Sequence, residues 1–446
     1  MKKAYILLVA LLIVSIFMLL LAPNVYSARY CMCSFGVFVV AMGITLYNNV
    51  RHYKTLIIFE LLFSLSFLFM NYVYPVYLYQ VNPYFSLFAF AFNEDIMTKC
   101  TALATVGYVA FCVGIFGGEN LKHEKQVKST FRLRPLNFID CCILSFLFLT
   151  FLYTNLDALR QGYTMEGSGG GFFFIFALFY IYQYFAFSIK KAPRGVVIYF
   201  WCLISLYILT SLVLGNRGEP LYLAIAILFC YHTYVKHISF SKLAIMAVGG
   251  LFVFYFVGKT RISSNQMDTT SREERIDSWE AEEDVLMYAN ELIINNRSLF
   301  ALVDHTDSKG YTYGLTWSSN FFSIVPFGQS FALYVLGIKP EDFSTTKLNT
   351  SLVFSEGDSD RFGLGTNLIG DIYVSFGSIG VLLLMFLFGR FVKNTYNRNL
   401  QGPSYSQMLY VILMVLSIYY PRASLFSPLQ MAAWTYVLCY ISKVKK

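Results

Sequence analysis

Four arginines lie at the edges of apolar runs that are long enough to cross a bilayer. Arg217 sits in the short hinge GNRGEP at 215–220, and the others are Arg261, Arg361 and Arg422. A guanidinium group can bind a phosphate through two parallel hydrogen bonds and stays charged when partly desolvated. Arg217 and Arg422 are also predicted at helix N-termini, where free backbone amides attract anions. The arginines therefore predict a phosphate or diphosphate site, and the alternative is interfacial anchoring of each helix.

Three side chains could transfer a proton near such a site. Asp371 is expected about one turn into an apolar run, where a carboxylate is costly unless it faces a cavity or a cation. Glu219 follows Arg217 by two residues, and His305 is the one histidine of five expected on the outer side. All three are candidate general bases. The alternatives are structural ion pairs for the two carboxylates and a solvated surface group for His305.

Other chemistries lack their signatures in the sequence. It has no HExxH motif, no cysteine and histidine cluster with metal-ligand spacing, and no Walker loop. We therefore predict no metal site, no cofactor and no nucleic-acid partner.

The elements that must position these residues are membrane-spanning helices. The chain has 446 residues, of which 57% are hydrophobic and 13% charged. Soluble domains have roughly 45–50% apolar and about 25% charged residues. Apolar stretches of about 17–25 residues recur, which is the spanning length of an α-helix, and a helix satisfies its own backbone hydrogen bonds in lipid. We predict an all-α, polytopic membrane protein.

About twelve spans are predicted. They cover roughly 4–22, 30–48, 55–75, 101–117, 139–154, 172–189, 196–214, 219–235, 243–258, 367–389, 405–420 and 425–441.

The basic residues predict the orientation of these spans. With the N-terminus inside, the cytoplasmic segments hold twenty Lys and Arg residues and the short outer loops hold five. Because positive residues are retained on the cytoplasmic side, both termini are predicted in the cytoplasm. The chain 1–446 is then one transmembrane domain that carries a single large extracytoplasmic insert, 259–366, between spans nine and ten. The insert holds nine Lys or Arg and sixteen Asp or Glu residues.

Two parts of the insert have distinct patterns. Ser271–Leu299 alternates charged and apolar residues and is predicted to form an amphipathic helix on the membrane surface or over a cavity. Tyr311–Leu336 is aromatic and glycine-rich around Pro326, which is typical of a re-entrant or interfacial segment. Loops of this length are usually functional.

Three motifs in this order are familiar: LGNRGE at 214–219, GDIYVSFGSIG at 370–380 after the large outer loop, and Pro421-Arg422 near the last span. In these features residues 170–440 resemble the Wzy-type O-antigen and capsular polysaccharide repeat-unit polymerases of bacteria. The first five predicted spans carry no recognisable motif.

That resemblance implies a membrane-embedded, lipid-donor glycosyltransferase. Such an enzyme polymerises undecaprenyl-diphosphate-linked oligosaccharide repeat units at the outer face of the bacterial cytoplasmic membrane and releases undecaprenyl diphosphate, in O-antigen, lipopolysaccharide or capsule biosynthesis. The resemblance implies a diphosphate-binding role for Arg217 in the first place. It implies the same role for Arg361 and Arg422 in the second. The implied partners are the lipid-linked oligosaccharide, the lipid bilayer, a chain-length regulator and a flippase. The identity of the base stays open.

Two other functions are compatible with the sequence. An O-antigen ligase-like transferase would move the glycan onto a different acceptor. A lipid-linked oligosaccharide flippase or other transporter would suit twelve spans with both termini inside. However, transporters commonly have repeated halves with charges near the midplane, whereas here the halves are unequal and the charges lie at the outer surface.

Overall fold

A computed structural model gives the structure of the chain. It describes residues 2–53, 55, 57–81, 92–117, 132–156, 171–189, 191–214, 216, 218–239, 242, 250, 290–353, 365–399 and 404–444. Within these ranges every regular element is helical, apart from one isolated β-bridge between Leu133 and Lys443. The predicted all-α class is confirmed.

Fourteen α-helices of nine residues or more occur in the described part of the chain. They are α1 (Lys2–Leu20), α2 (Ala28–Tyr53), α3 (Phe59–Asn71), α4 (Met97–Gly117), α5 (Phe138–Thr154), α6 (Gly171–Gln183), α7 (Arg194–Val213), α8 (Gly218–Tyr234), α9 (Asn290–Lys309), α10 (Gly328–Leu336), α11 (Thr345–Val353), α12 (Leu368–Asn399), α13 (Tyr405–Leu416) and α14 (Leu429–Ile441).

Seven of the described helical segments have the length and apolarity to cross a membrane. They are Lys3–Leu20, Ala28–Arg51, Phe59–Val81, Glu94–Gly117, Gly171–Ser188, Arg194–Val213 and Leu368–Arg398. Helices α5, α13 and α14 are apolar but shorter. Helices coincide with eleven of the twelve predicted spans, and the ninth, 243–258, lies outside the described residues except for position 250. The count of twelve and the orientation stay predictions.

The chain divides into two compact units. The first comprises Met1–Ser129, Asn290–Gly402 and Leu416–Ala433, and the second comprises Thr130–Ala289, Pro403–Val415 and Trp434–Lys446. The description as one transmembrane domain with an insert at 259–366 stays a prediction.

Helix α4 forms the core of the first unit and packs closely against α12. A Cβ added to Gly114 of α4 would lie 2.1 Å from the carbonyl oxygen of Phe386, and one added to Gly389 of α12 would lie 2.1 Å from that of Phe111. Small residues allow two membrane helices to approach at backbone distance, and dispersion contacts between them then stabilise the pair. Glycine on both helices therefore determines where α12 lies.

Helix α12 is interrupted at Gly377, where the backbone has φ 64° and ψ −160°. The interruption frees carbonyl groups in the preceding turn. The backbone N–H of Thr312 donates to the carbonyl of Val374 (2.9 Å), and that of Tyr313 donates to the carbonyl of Ser375 (3.2 Å). Non-helical backbone at a membrane span is tolerated where protein groups satisfy it in this way. The first half of α12 is thus a short helix whose C-terminal end is bound by a loop of the insert.

Replacing Gly377 with alanine is expected to destabilise the protein by about 1–3 kcal/mol, because a left-handed φ is unfavourable for residues with a Cβ. The added Cβ would also lie 2.9 Å from Oη of Tyr311. Thermal unfolding in detergent measures the effect. Gly36→Ala in α2 is the matched control, since nothing lies within 4 Å of its added Cβ. Equal unfolding temperatures for the two variants would contradict the strain argument.

The second unit contains α5 to α8, α13 and part of α14. Asn137 caps α5, and the guanidinium of Arg134 forms a bidentate ion pair with Asp140 on the first turn (3.0 and 2.6 Å). The rings of Phe173 and Tyr207 stack with their centroids 4.1 Å apart, which joins α6 to α7. These contacts give the unit its own packed interior.

Candidate functional site

Asp371 lies on the first turn of α12 and its side chain is completely buried. One carboxylate oxygen, Oδ2, accepts three hydrogen bonds. The donors are the indole N–H of Trp317 (2.9 Å), the hydroxyl of Ser424 (3.1 Å) and the backbone N–H of Leu425 (2.9 Å). Two segments remote in sequence are therefore bound to a single oxygen, which fixes the rotation of the carboxylate.

The second oxygen of Asp371, Oδ1, has no hydrogen-bond partner among the described residues. The buried hydroxyl of Thr345 faces the same carboxylate without making a hydrogen bond of normal geometry. Buried polar atoms are nearly always hydrogen-bonded, so an unbonded carboxylate oxygen suggests a function. No described lysine or arginine forms a salt bridge with Asp371, so in this part of the chain hydrogen bonds replace the ion pair considered from sequence. An oriented carboxylate whose second oxygen makes no hydrogen bond of normal geometry can accept a proton.

Aromatic rings pack around Trp317, the indole donor to this carboxylate. The Trp317 ring lies 5.4 Å from that of Phe376 and 5.0 Å from that of Phe426, measured between centroids. The Ser424 hydroxyl also accepts a hydrogen bond from the Asn320 amide (3.0 Å). An apolar shell of this kind lowers the local dielectric and strengthens electrostatic interactions within it.

Arg422 lies in the loop that supplies two of the Asp371 contacts. It ends a 3₁₀ turn, Tyr420–Arg422, whereas α14 begins only at Leu429. The prediction that Arg422 occupies a helix N-terminus is therefore wrong, because Tyr420, Pro421 and Arg422 form a separate turn. The half-buried side chain packs on Gly365, where an added Cβ would lie 2.9 Å from the Nε of Arg422. Arg422 is thus placed beside the segment that enters α12.

Buried amides fix the segment Gly365–Asn367, which leads into α12. Asn295 of α9 donates to the carbonyl of Thr366 (2.9 Å), and Asn349 of α11 donates to that of Gly365 (3.0 Å). Asn367 accepts the backbone N–H of Ile369 (3.0 Å), which caps the helix, and donates to Asn71 of α3 (3.1 Å). Because amides from three helices hold this entry, the Asp371 turn has a defined position.

A further buried arginine, Arg297 on α9, was missed in the sequence analysis because it lies at no span end. Its side chain is 2% exposed, and its guanidinium lies 5.1 Å from the ring centroid of Tyr74 and 5.5 Å from that of Phe92. The sequence signal for a buried site here is the run of four polar residues Asn-Asn-Arg-Ser at 295–298, which leaves this turn without an apolar face. All four residues are buried in the structure. Such a run on a helix indicates a polar interior.

A family model of the O-antigen polysaccharide polymerase Wzy matches residues 4–444. The chain belongs to this family. Members are inner-membrane, glycosyltransferase-like polymerases that act on lipid-linked oligosaccharide repeat units. The predicted resemblance is confirmed, and the match also covers the first five spans, where no motif was recognised. No curated protein and no solved structure matches the chain.

Among the candidate bases of this Wzy-family chain, His305 lies on α9, half-buried. Burial and the nearby Lys309 lower the pKa of His305 below its usual 6.5, although Asp304 opposes the shift. No described hydrogen bond joins its imidazole to Asp371. Close by, Asp307 accepts hydrogen bonds from Lys99 (2.5 Å) and Tyr373 (2.6 Å), which tie α9 to α4 and α12.

Replacing His305 with glutamine is expected to reduce activity by only a few-fold and to leave the pH profile unchanged. Because burial and Lys309 lower the pKa of His305, the imidazole is neutral at pH 7 and gains its proton only as the pH falls into the acidic range. If His305 were the base, wild-type activity would fall as the pH drops through that range, and the fall would disappear in His305→Gln. Rates measured from pH 5 to 8 on both proteins distinguish the two cases.

The remaining predicted site residues divide between the second unit and the undescribed positions. Glu219 on α8 accepts a hydrogen bond from the hydroxyl of Tyr207, which is compatible with a structural role. The side-chain oxygen of Asn216 accepts the backbone N–H of Gly218, the first residue of α8 (3.1 Å). Arg217, Arg261 and Arg361 lie outside the described residues. In the described ranges no group of three or more metal-binding side chains is found.

Proposed function

We propose that this chain polymerises undecaprenyl-diphosphate-linked oligosaccharide repeat units at the outer face of the cytoplasmic membrane and releases undecaprenyl diphosphate. Membership of the Wzy family supports the class of reaction. The observation that carries the site assignment is Asp371, which is buried on the first turn of a membrane-length helix. One of its oxygens accepts three hydrogen bonds, and the other makes none of normal geometry.

The proposed reaction transfers a glycan in one step. A hydroxyl on the non-reducing sugar of a lipid-linked repeat unit attacks the anomeric carbon of the growing glycan. The bond from that carbon to the diphosphate oxygen breaks, and undecaprenyl diphosphate leaves with the electron pair. The hydroxyl proton passes to Oδ1 of Asp371, and a positioned base of this kind contributes about 10²–10⁴-fold to rate. His305 and Glu219 remain the other candidates for this proton transfer.

The leaving diphosphate requires cationic partners. Arg422 is the candidate that the geometry supports best, since it lies two residues before Ser424, a donor to Asp371. A guanidinium aimed at developing phosphate charge stabilises the transition state more than the ground state. Arg217, Arg361 and Arg261 are proposed for the same role on sequence grounds alone.

The wider setting is also part of the proposal. Twelve spans with cytoplasmic termini would place the insert 259–366 on the outer side of the membrane. Flipped repeat units arrive on that side. A flippase that supplies them and a chain-length regulator are the proposed protein partners.

Purified full-length protein in liposomes, given a lipid-diphosphate-linked repeat unit and no nucleotide, tests this function. We expect glycans of two or more repeat units. Transbilayer movement of the lipid without lengthening would instead identify a transporter. Transfer only to an added foreign acceptor would identify a ligase, and either result would overturn the proposal.

A further inference from the structure

The insert contains one long stretch that has no acidic residue, no basic residue and no histidine. Residues 311–338 include no Lys, Arg, Asp, Glu or His, whereas Lys309 and Lys339 flank the stretch. All nine basic and sixteen acidic residues of the insert lie in its other parts. In a loop surrounded by water, charged residues are expected along the whole length and not only outside one stretch. A charge-free, aromatic stretch between lysines is typical of a segment that enters the lipid interface.

This stretch folds into a helical hairpin, which we call the apolar hairpin (Ser318–Leu336). A short helix, Ser318–Phe322, is followed by a tight turn and then by α10. The backbone N–H of Gly328 donates to the carbonyl of Val325 (2.9 Å), and the amide of Gln329 donates to the carbonyl of Ser319 (2.8 Å). The two arms are thus closed on one another by internal hydrogen bonds.

The apolar hairpin exposes large apolar side chains. The exposed fractions are 60% for Val325, 87% for Phe327, 65% for Phe331, 91% for Tyr334, 55% for Val335 and 56% for Leu336. Phe327 at the turn has φ 61°, a conformation that residues other than glycine rarely adopt. An exposed cluster of this composition marks an interaction surface. The strained backbone at Phe327 points to a constraint at the tip of the hairpin.

Hydrogen bonds place the base of the hairpin at the end of a membrane span. Trp317, which immediately precedes the hairpin, donates to Asp371 on the first turn of α12. The adjoining backbone of Thr312 and Tyr313 binds carbonyl groups in the next turn. Since α12 is one of the membrane-length helices, the base of the hairpin lies at the N-terminal end of a candidate membrane span. Lipid is the apolar medium next to the end of a membrane span.

We propose that the apolar hairpin inserts its exposed side chains into the bilayer leaflet at the N-terminal end of α12. It would thereby hold Trp317, and through it the Asp371 carboxylate, at the membrane surface where a lipid diphosphate lies. The lipid contact does not depend on the proposed reaction, so its test needs no turnover.

The test uses full-length protein in nanodiscs of phosphatidylethanolamine and phosphatidylglycerol that contain a lipid with a photoactivatable diazirine in its acyl chain. After illumination, mass spectrometry locates the labelled peptides. We expect the peptide that contains 327–336 to be labelled as strongly as α1 and several-fold more than the polar peptide 339–353. Labelling no stronger than that of 339–353 would overturn the proposal.

A pair of variants sharpens the result. Phe331→Asp introduces a charge that lipid disfavours, and we expect it to reduce hairpin labelling several-fold while α1 labelling is retained. Phe331→Leu keeps the site apolar and should retain the labelling of both. Equal hairpin labelling in the two variants would overturn insertion at Phe331. If Phe331→Asp does not fold, the comparison of peptides in the wild-type protein still decides.

Discussion

Asp371→Asn is expected to lower the rate of glycan lengthening about 10²–10⁴-fold, because an amide cannot accept the proton of the attacking hydroxyl. The substitution keeps the size of the side chain, and one amide oxygen can still accept the hydrogen bond from Trp317. The loss should therefore appear in the maximal rate rather than in the affinity for the lipid-linked donor. Initial rates at saturating and limiting donor measure the two effects separately.

Two comparisons make this result specific to the position. Asp342→Asn removes an exposed carboxylate from the same insert and should leave the rate unchanged. Thermal unfolding of Asp371→Asn reports the structural part of the effect, since weakened hydrogen bonds to a charged group cost about 1.5–3 kcal/mol. A folded Asp371→Asn protein with the wild-type rate would remove Asp371 from the proposed chemistry and leave it a structural link between two loops.

Arg422→Lys is expected to reduce turnover about 10²-fold, which is the typical effect of losing one donor to a developing oxyanion. Lysine keeps the positive charge but loses the planar pair of donors that matches a phosphate. The packing of the Arg422 side chain on Gly365 would also loosen. Rates at saturating donor, together with binding of undecaprenyl diphosphate as an inhibitor, separate transition-state from ground-state effects.

The control for Arg422 is Arg398→Lys, an exposed arginine near the C-terminal end of α12, where no change in rate is expected. Arg217→Lys tests the sequence-based assignment of that residue in the same assay and should also reduce turnover sharply. Full activity in Arg422→Lys or in Arg217→Lys would reduce the substituted arginine to an interfacial anchor.

The helices were largely predictable from sequence, because backbone groups in lipid must be hydrogen-bonded within their own segment. Apolar runs of spanning length had to be helical, and described helices occur at eleven predicted positions. Asp371 could be singled out in the same way, since a carboxylate in an apolar run is rare. These inferences depend only on local composition.

The arrangement around Asp371 was not predictable, because its contacts join residues far apart in the chain. Trp317 is 54 residues away and Ser424 is 53 residues away. The interruption at Gly377 depends on a loop that donates hydrogen bonds to the freed carbonyl groups. A glycine in the sequence does not by itself predict such an interruption. Arg297 was not predictable from its position, because it lies at no span end and only tertiary packing buries it in mid-helix.

The most direct test of the central claim is a balance of products in the purified system. New glycosidic bonds and released undecaprenyl diphosphate are measured together, with the lipid-linked repeat unit as sole substrate and no nucleotide. We predict one released lipid diphosphate for each new bond, and neither product from Asp371→Asn on the same timescale. Release of lipid diphosphate without glycan lengthening, or lengthening without release, would contradict it.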